Sequence, residues 1–209
     1  MSTDPAKSLD VVYSAESTAD VAKKYDDWAK RYDTEMASLG YRHPNICLAM
    51  LTRHLPRGEG PVLDAGAGTG LLGEWMDIVG YKDAQALDIS EGMLEVARAK
   101  DVYSKFHVAA LGETLPMADD TYAAIVAAGV FTVGHVGEEG FGELVRITRP
   151  GGFIIVTIKD TLYDKGLGAY LKAQEAKGVW TVLEETPSYV SMPGRPDTVP
   201  SRAVVLKVL

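Results

Sequence analysis

The chain has 209 residues, 46% of them hydrophobic and 24% charged, which suits one domain with a full core and is short for two. A formal net charge of -8 leaves no basic surface for a phosphate backbone, so nucleic acid is not an expected partner. Cys47 is the single cysteine, which excludes an intrachain disulfide or thiolate cluster; His43, His54, His107 and His135 lack metal-ligand spacing, so no metal is expected.

Residues 1–17 are polar, carry Pro5 and show no basic-then-apolar leader; they are expected to form a flexible arm. No apolar run approaches the ~18 residues of a membrane span, so a cytoplasmic protein is the plain expectation. From Thr18 to Leu39, apolar residues three or four apart, Tyr25, Trp28 and Tyr32 among them, predict a helix with Thr18 as N-cap and Gly40 as its stop. A second helix is predicted from Pro44 to Leu55, and residues 18–58 together read as a helical cap.

Residues 61–209 read as an alternating core. Val62-Leu63 start a strand that enters the glycine loop, Leu71 to Val79 form a helix, and residues 84–90 form a second strand ending at Asp88. A helix over 91–100 opens on Ser90 with Glu91 in its first turn. "SKFHVAAL" and "YAAIVAAGVF" are the third and fourth strands, "GEEGFGELVRIT" is a helix, and "RPGG" breaks it before the fifth strand, "FIIVTIK". A helix over 165–178 leads to two strands, "VWTVLEETP" and "SRAVVLKVL", whose connecting loop reads as too polar to be core and whose lack of a crossover requires antiparallel pairing. The fold class is α/β: a Rossmann-like, mostly parallel sheet with a C-terminal antiparallel hairpin.

"VLDAGAGTGLLGEW" (62–75) contains a G-x-G-x-x-G match over Gly68 to Gly73, which fits a nicotinamide-dependent oxidoreductase. Asp88, 18 residues past Gly70, suits the hydroxyls of a ribose or serves as a helix-entry acid. Asp64 separates the cofactors: a carboxylate there repels a diphosphate but helps hold the ammonium of an adenosyl sulfonium, directly or through backbone and water.

The stretches "VLDAGAGTG" (62–70), "ALDIS" (86–90), "ETLPMADDTYAAIV" (113–126) and "RPGGFIIVTI" (149–158) resemble, in order and spacing, the motifs of class I S-adenosylmethionine-dependent methyltransferases. "YDDWAKRYDTEM", "GYRHPN" and "KGVW" are similar to the branch encoded in the Williams–Beuren syndrome region and its bacterial relatives. The resemblance implies S-adenosylmethionine as cofactor; a small-molecule methyl acceptor is expected because the chain has room for no second domain and carries no basic face, with a protein acceptor as the alternative. The resemblance places Asp64, Gly66, Gly68 and Gly70 at the methionine part, Asp88 at the ribose and Ile89 beside the adenine. The acid often found at the position of Leu111 is missing, leaving the Leu111 and Gly112 backbone to read the adenine edge. Ala67, Leu71, Met93, Glu113 and Ala128 complete the expected cofactor site, with Tyr25 and Tyr32 either packing or reaching in from the cap. His43, Phe131 and His135 are expected on the acceptor side, His135 as a base or an ordinary loop residue. A non-catalytic adenosyl-binding module, or unusual chemistry on the same cofactor, is the remaining alternative.

Overall fold

In the computed structural model, which describes residues 5–15, 17–132 and 136–209, the apolar runs become one seven-stranded sheet. Its strands are β1 (Val62–Ala65), β2 (Ala84–Asp88), β3 (Lys105–Val108), β4 (Tyr122–Phe131), β5 (Thr148–Lys159), β6 (Trp180–Glu185) and β7 (Ser201–Val208). They lie in the order β3-β2-β1-β4-β5-β7-β6. The first five are parallel, and β7 runs antiparallel to both β5 and β6. The expected Rossmann-like sheet with its antiparallel end is therefore present. From β1, the chain steps one way through β2 and β3 and the other way through β4 and β5; ligands of such sheets sit outside the carboxyl ends of the strands at that reversal.

The helices are α1 (Pro5–Tyr13), α2 (Thr18–Ser38), α3 (His43–His54), α4 (Leu71–Val79), α5 (Glu91–Ala99), α6 (Phe141–Ile147), the short α7 (Asp160–Leu162) and α8 (Gly168–Ala176). Alternate strand residues enter different cores because side chains alternate across a sheet. Val62, Ala84, Ala124 and Ile155 pack with Cys47, Met50 and Leu51 of α3, Leu72 and Met76 of α4, and Leu94 of α5. Leu63, Ile125, Ile154 and Val156 pack the other way, with Phe141 and Leu144 of α6 and Leu171 of α8. A third cluster joins Leu9 and Val12 to Trp28 and Met36 of α2, to Leu39 at its C-cap and to Met192.

Several expectations change here. Most of the expected flexible arm is α1, whose Leu9 and Val12 lie three apart on one buried helical face. Pro5 opens that helix, a position where its missing N–H is harmless. Ser17, not Thr18, caps α2, its side chain accepting from the Asp20 amide. α3 packs on the sheet with α4 instead of in the cap, because its apolar face meets β4 and β5. "RPGG" lies inside β5 as an irregularity in its pairing with β4, Gly151 turning the chain at φ +79°. The helix expected over 165–178 is interrupted at Gly166, where φ is +142°. The loop expected to be too polar for the core buries Ser191 and Met192, and its Ser191 carbonyl accepts from the Arg42 amide at 2.9 Å.

Candidate active site

Glycine is required where β1 ends, because the chain turns sharply against the neighbouring strand ends. Gly66 and Gly68 have φ of +85° and +54°, a region that L side chains rarely adopt. A Cβ on Gly66 would stand 2.3 Å from Val130 Cγ2, whereas one on Gly68 would meet nothing within 4 Å. The Gly66 and Ala67 amides donate to the Leu87 carbonyl at 2.7 and 2.9 Å, fastening the loop to β2. Asp88 stands across from them: its Oδ2 accepts from the Gly68 amide at 2.8 Å and its Oδ1 from the Ser90 amide at 2.9 Å. Burial pushes the Asp88 carboxyl above its ordinary range; the Ser90, Gly68 and Ile89 amides pull it back, and nearby Asp26 pushes it up again.

Between these strand ends and α2 lies a cavity of about 490 Å³, a size typical of small-molecule sites. Tyr25 and Tyr32, two turns apart on α2, line it together with Val21. Trp28 turns away into the cap, where its Nε1 donates to Glu35 Oε2 at 2.7 Å. Two carboxylates hold α2 in place. Asp26 Oδ1 accepts from Ser90 Oγ at 2.6 Å and from the Gly92 amide at 2.8 Å, at the N-terminus of α5 where negative charge is favoured. Asp33 accepts from Thr69 Oγ1 and, at 2.7 Å, from Lys100 Nζ.

Of the residues expected at the cofactor, Tyr25, Tyr32, Gly66, Gly68, Asp88, Ile89, Met93, Leu111 and Ala128 line this cavity. The others do not. Asp64 is buried behind the loop and takes a hydrogen bond from the Tyr103 hydroxyl at 2.6 Å. Burial pushes its carboxyl up to about 7, so the fixed negative charge expected at the mouth is instead a group poised to hold a proton. Ala67 packs in the core, Gly70 begins α4 beneath Tyr103, and Leu71 packs against the cap cluster. Gly112 faces Glu139, and Glu113 is exposed.

On the acceptor side, Phe131 points into the opposite core, its ring 4.7 Å from that of Phe141. His43 is buried, with Nδ1 2.7 Å from the Tyr189 hydroxyl, and burial followed by Lys159 pushes its ring down to about 3, leaving it neutral. His135 lies outside the described residues. Tyr41 and Gly129 line the cavity although neither was expected there. A Cβ on Gly129 would stand 2.2 Å from the Tyr41 hydroxyl, and that hydroxyl donates to the Ala128 carbonyl at 3.4 Å. A glycine inside a strand signals such a close approach; Tyr41 itself gave no signal beyond its place in "GYRHPN".

Among the described residues no Lys, Arg or His side chain lines the cavity. Its lining provides an accepting carboxylate at Asp88, tyrosine hydroxyls above, and an apolar strip of Ile89, Met93 and Leu111. A nucleoside fits that set, its hydroxyls meeting the carboxylate and its flat base meeting the strip.

Comparison with known proteins agrees. Residues 63–156 match the family described as Methyltransferase domain. The chain is 34% identical over 189 residues to methyltransferase-like protein 27 of Homo sapiens, covering 84% of this chain and 76% of that protein. It is 31% identical over 188 residues to the demethylmenaquinone methyltransferase of Clavibacter sepedonicus, covering 82% and 75%. The crystal structure of a TehB-like SAM-dependent methyltransferase from Corynebacterium glutamicum superposes with a TM-score of 0.63 at 21% identity, over 90% of this chain and 99% of that one. A cavity suited to a nucleoside at the reversal of a seven-stranded sheet, with relatives of this kind, has one reading: the chain belongs to the class I methyltransferases that use S-adenosylmethionine.

Proposed function

We propose that this methyltransferase moves the methyl group of S-adenosylmethionine to a small, non-polymeric acceptor by in-line displacement. The observation that carries the reading is the roof: α2 lies over the strand ends, so the acceptor has to reach the methyl group inside the same cavity of about 490 Å³ that would hold the cofactor. The relatives named for demethylmenaquinone are named for a small molecule, which supports the same class of acceptor. We also assign the enzyme to the cytoplasm, a reading supported by its one, buried cysteine.

When bound, the cofactor would supply an electrophilic methyl on a sulfonium whose sulfur departs as a neutral thioether, without acid assistance. The chain's task is alignment and exclusion of water. Each Asp88 oxygen spends one hydrogen bond on an amide and keeps capacity for the ribose hydroxyls. Ile89 and Met93 would flank the adenine, with the Leu111 backbone at its edge. Gly66, Gly68 and Ala128 would admit the methionine part, and Tyr25 and Tyr32 would cover it and keep water out. Asp64, Ala67, Gly70 and Leu71 act by holding the loop. Where the acceptor arrives protonated, His135 is the assigned base.

The test is a methyl-transfer assay with S-adenosylmethionine labelled in its methyl group. Small metabolite extracts, protein and RNA are offered separately. Label appearing in the small-molecule fraction supports the reading, and label appearing only in protein or RNA overturns it.

A further inference from the structure

The last glycine of the G-x-G-x-x-G match, Gly73, does not line the cavity; it makes room for a tyrosine. A Cβ on Gly73 would stand 2.3 Å from Tyr103 Cζ, and one on Gly70 would stand 3.1 Å from Tyr103 Cε2. With both side chains absent, the Tyr103 ring fits beneath the start of α4 and its hydroxyl reaches Asp64. The pair is sealed in the core, Asp64 being 1% exposed and Tyr103 8%.

The surroundings of Asp64 are acidic or neutral. Asp88 on β2 acts on it through space. Cys47 on α3 is a buried thiol that burial, and then Asp64, hold in the neutral form. Its register neighbours on β2 and β4, Ala86 and Val126, are apolar. Among the described residues no Lys, Arg or His bonds to Asp64; Lys100, the C-cap of α5, is taken by Asp33 and Glu74 at 2.7 Å each. A carboxyl so placed favours its protonated form, and burial pushes it up to about 7.

Asp64 is shut off from solvent but not from the field of the cavity. Asp88 and Gly66, two residues along the chain from Asp64, both line that cavity. Because the charge of Asp88 raises Asp64, a positive charge placed in the cavity acts on Asp64 with the opposite sign. The two states of the cofactor differ in this respect. The sulfonium donor carries one positive charge more than the thioether left when its methyl departs.

We propose that Asp64 and Tyr103 form a proton switch beneath the glycine loop that favours the methyl donor over its thioether product: the donor's sulfonium expels the Asp64 proton to solvent, and the neutral sulfur lets it return. Donor binding then tightens as pH rises through the neutral range, and product binding follows pH less. This rests on reading the cavity as the methyl-donor site, and the experiment separates the two.

The full chain is titrated by calorimetry with S-adenosylmethionine and with S-adenosylhomocysteine at about pH 5.5 and about pH 7.5. At a pH midway between, the titrations are repeated in phosphate and in imidazole buffer, and the difference in heat counts the protons released. Donor affinity should be about fivefold higher at the upper pH, with release of about half a proton at the middle one. The product should give smaller values of both. D64N should abolish the donor's excess, and Y103F, which removes the bond that holds the Asp64 carboxyl down, should move the rise in affinity to higher pH. Failure of both compounds to bind overturns the donor-site reading and the switch with it. Binding of both with the same pH dependence and the same proton count, which needs no variant, overturns the switch alone. So does a D64N protein that keeps the donor's excess, or a Y103F protein whose rise stays at the wild-type pH.

Discussion

The hydroxyl of Tyr103 donates a 2.6 Å hydrogen bond to Asp64 Oδ2, and both residues are buried beneath the glycine loop. Burial raises the Asp64 carboxyl to about 7; the Tyr103 bond opposes that rise and Asp88 adds to it. The Tyr103 hydroxyl is itself held well above its ordinary range, first by burial and then by Asp64. The pair therefore joins the state of one proton to the footing of the loop.

Stability should reflect that proton. Folded Asp64 keeps it up to about pH 7, whereas the unfolded chain releases it near 3.8. Between those values the folded state binds more protons, so this group's contribution to stability declines as pH rises from about 4 to about 7 and is level above. Asp64→Asn removes the titration and leaves an acceptor for Tyr103. Its melting temperature relative to wild type should be higher at pH 8 than at pH 5, by the equivalent of a few kcal/mol at most. An equal difference at both pH values would return Asp64 to the ordinary carboxylate range.

Asp88→Ala should weaken S-adenosylhomocysteine binding by about 1–3 kcal/mol, from ribose hydroxyls left without acceptors. It also strands the Gly68 and Ser90 amides, so the melting temperature should fall with it. Asp88→Asn keeps one accepting oxygen and should lie between. Calorimetry that finds affinity unchanged removes Asp88 from the ligand.

Gly66 and Gly58 have nearly the same φ, +85° and +83°, in different surroundings. Gly58→Ala meets nothing within 4 Å and should cost only the left-handed backbone strain, about 1–2 kcal/mol of stability. Gly66→Ala carries the same strain and also drives Val130, a cavity-lining residue, from its place. Its binding of S-adenosylhomocysteine should fall while that of Gly58→Ala does not, and adding Val130→Ala should recover part of the loss. Equal affinity in the two alanine variants would show that the loop has room to spare.

The roof depends on close contact between α2 and α5. A Cβ on Gly92 would stand 3.0 Å from Asp26 Cα, so Gly92→Ala must push backbone away from backbone. Asp26→Ala instead removes the acceptor for the Gly92 amide and Ser90 Oγ, a capping loss of about 1 kcal/mol. Both variants should lose S-adenosylhomocysteine affinity and show faster proteolysis within α2 while the sheet stays folded. Unaltered cleavage in Gly92→Ala would mean that α2 is not held at this point.

What was legible in the sequence was local. The end of β2 and the start of α5 could be read because Asp88 and Ser90 act within a few residues of themselves, Ser90 Oγ accepting from the Met93 amide at 3.0 Å. The sheet could be read because strands buried on both faces are predominantly apolar runs, as in β4. Direction was not legible. Asp64 and Phe131 turn away from the cavity because partners far along the chain, Tyr103 and Phe141, draw them elsewhere. Tyr41 enters it because Gly129, 88 positions later, has no side chain to keep it out. α1 went unseen because its buried face consists of two residues whose partners lie in α2 and in the loop around Met192.

The sheet order carries a further consequence for how the molecule assembles. β6 joins the sheet only through β7, although β7 comes later in the chain. Residues 180–185 therefore wait, without a strand partner, for residues 201–208, and the edge of β5 stays open for as long. Closing that end requires residues 186–200 to be bridged, a loop whose ordering entropy the β6–β7 pairing has to offset. Substitutions in that connection should slow completion of the fold even where they leave the finished cavity untouched.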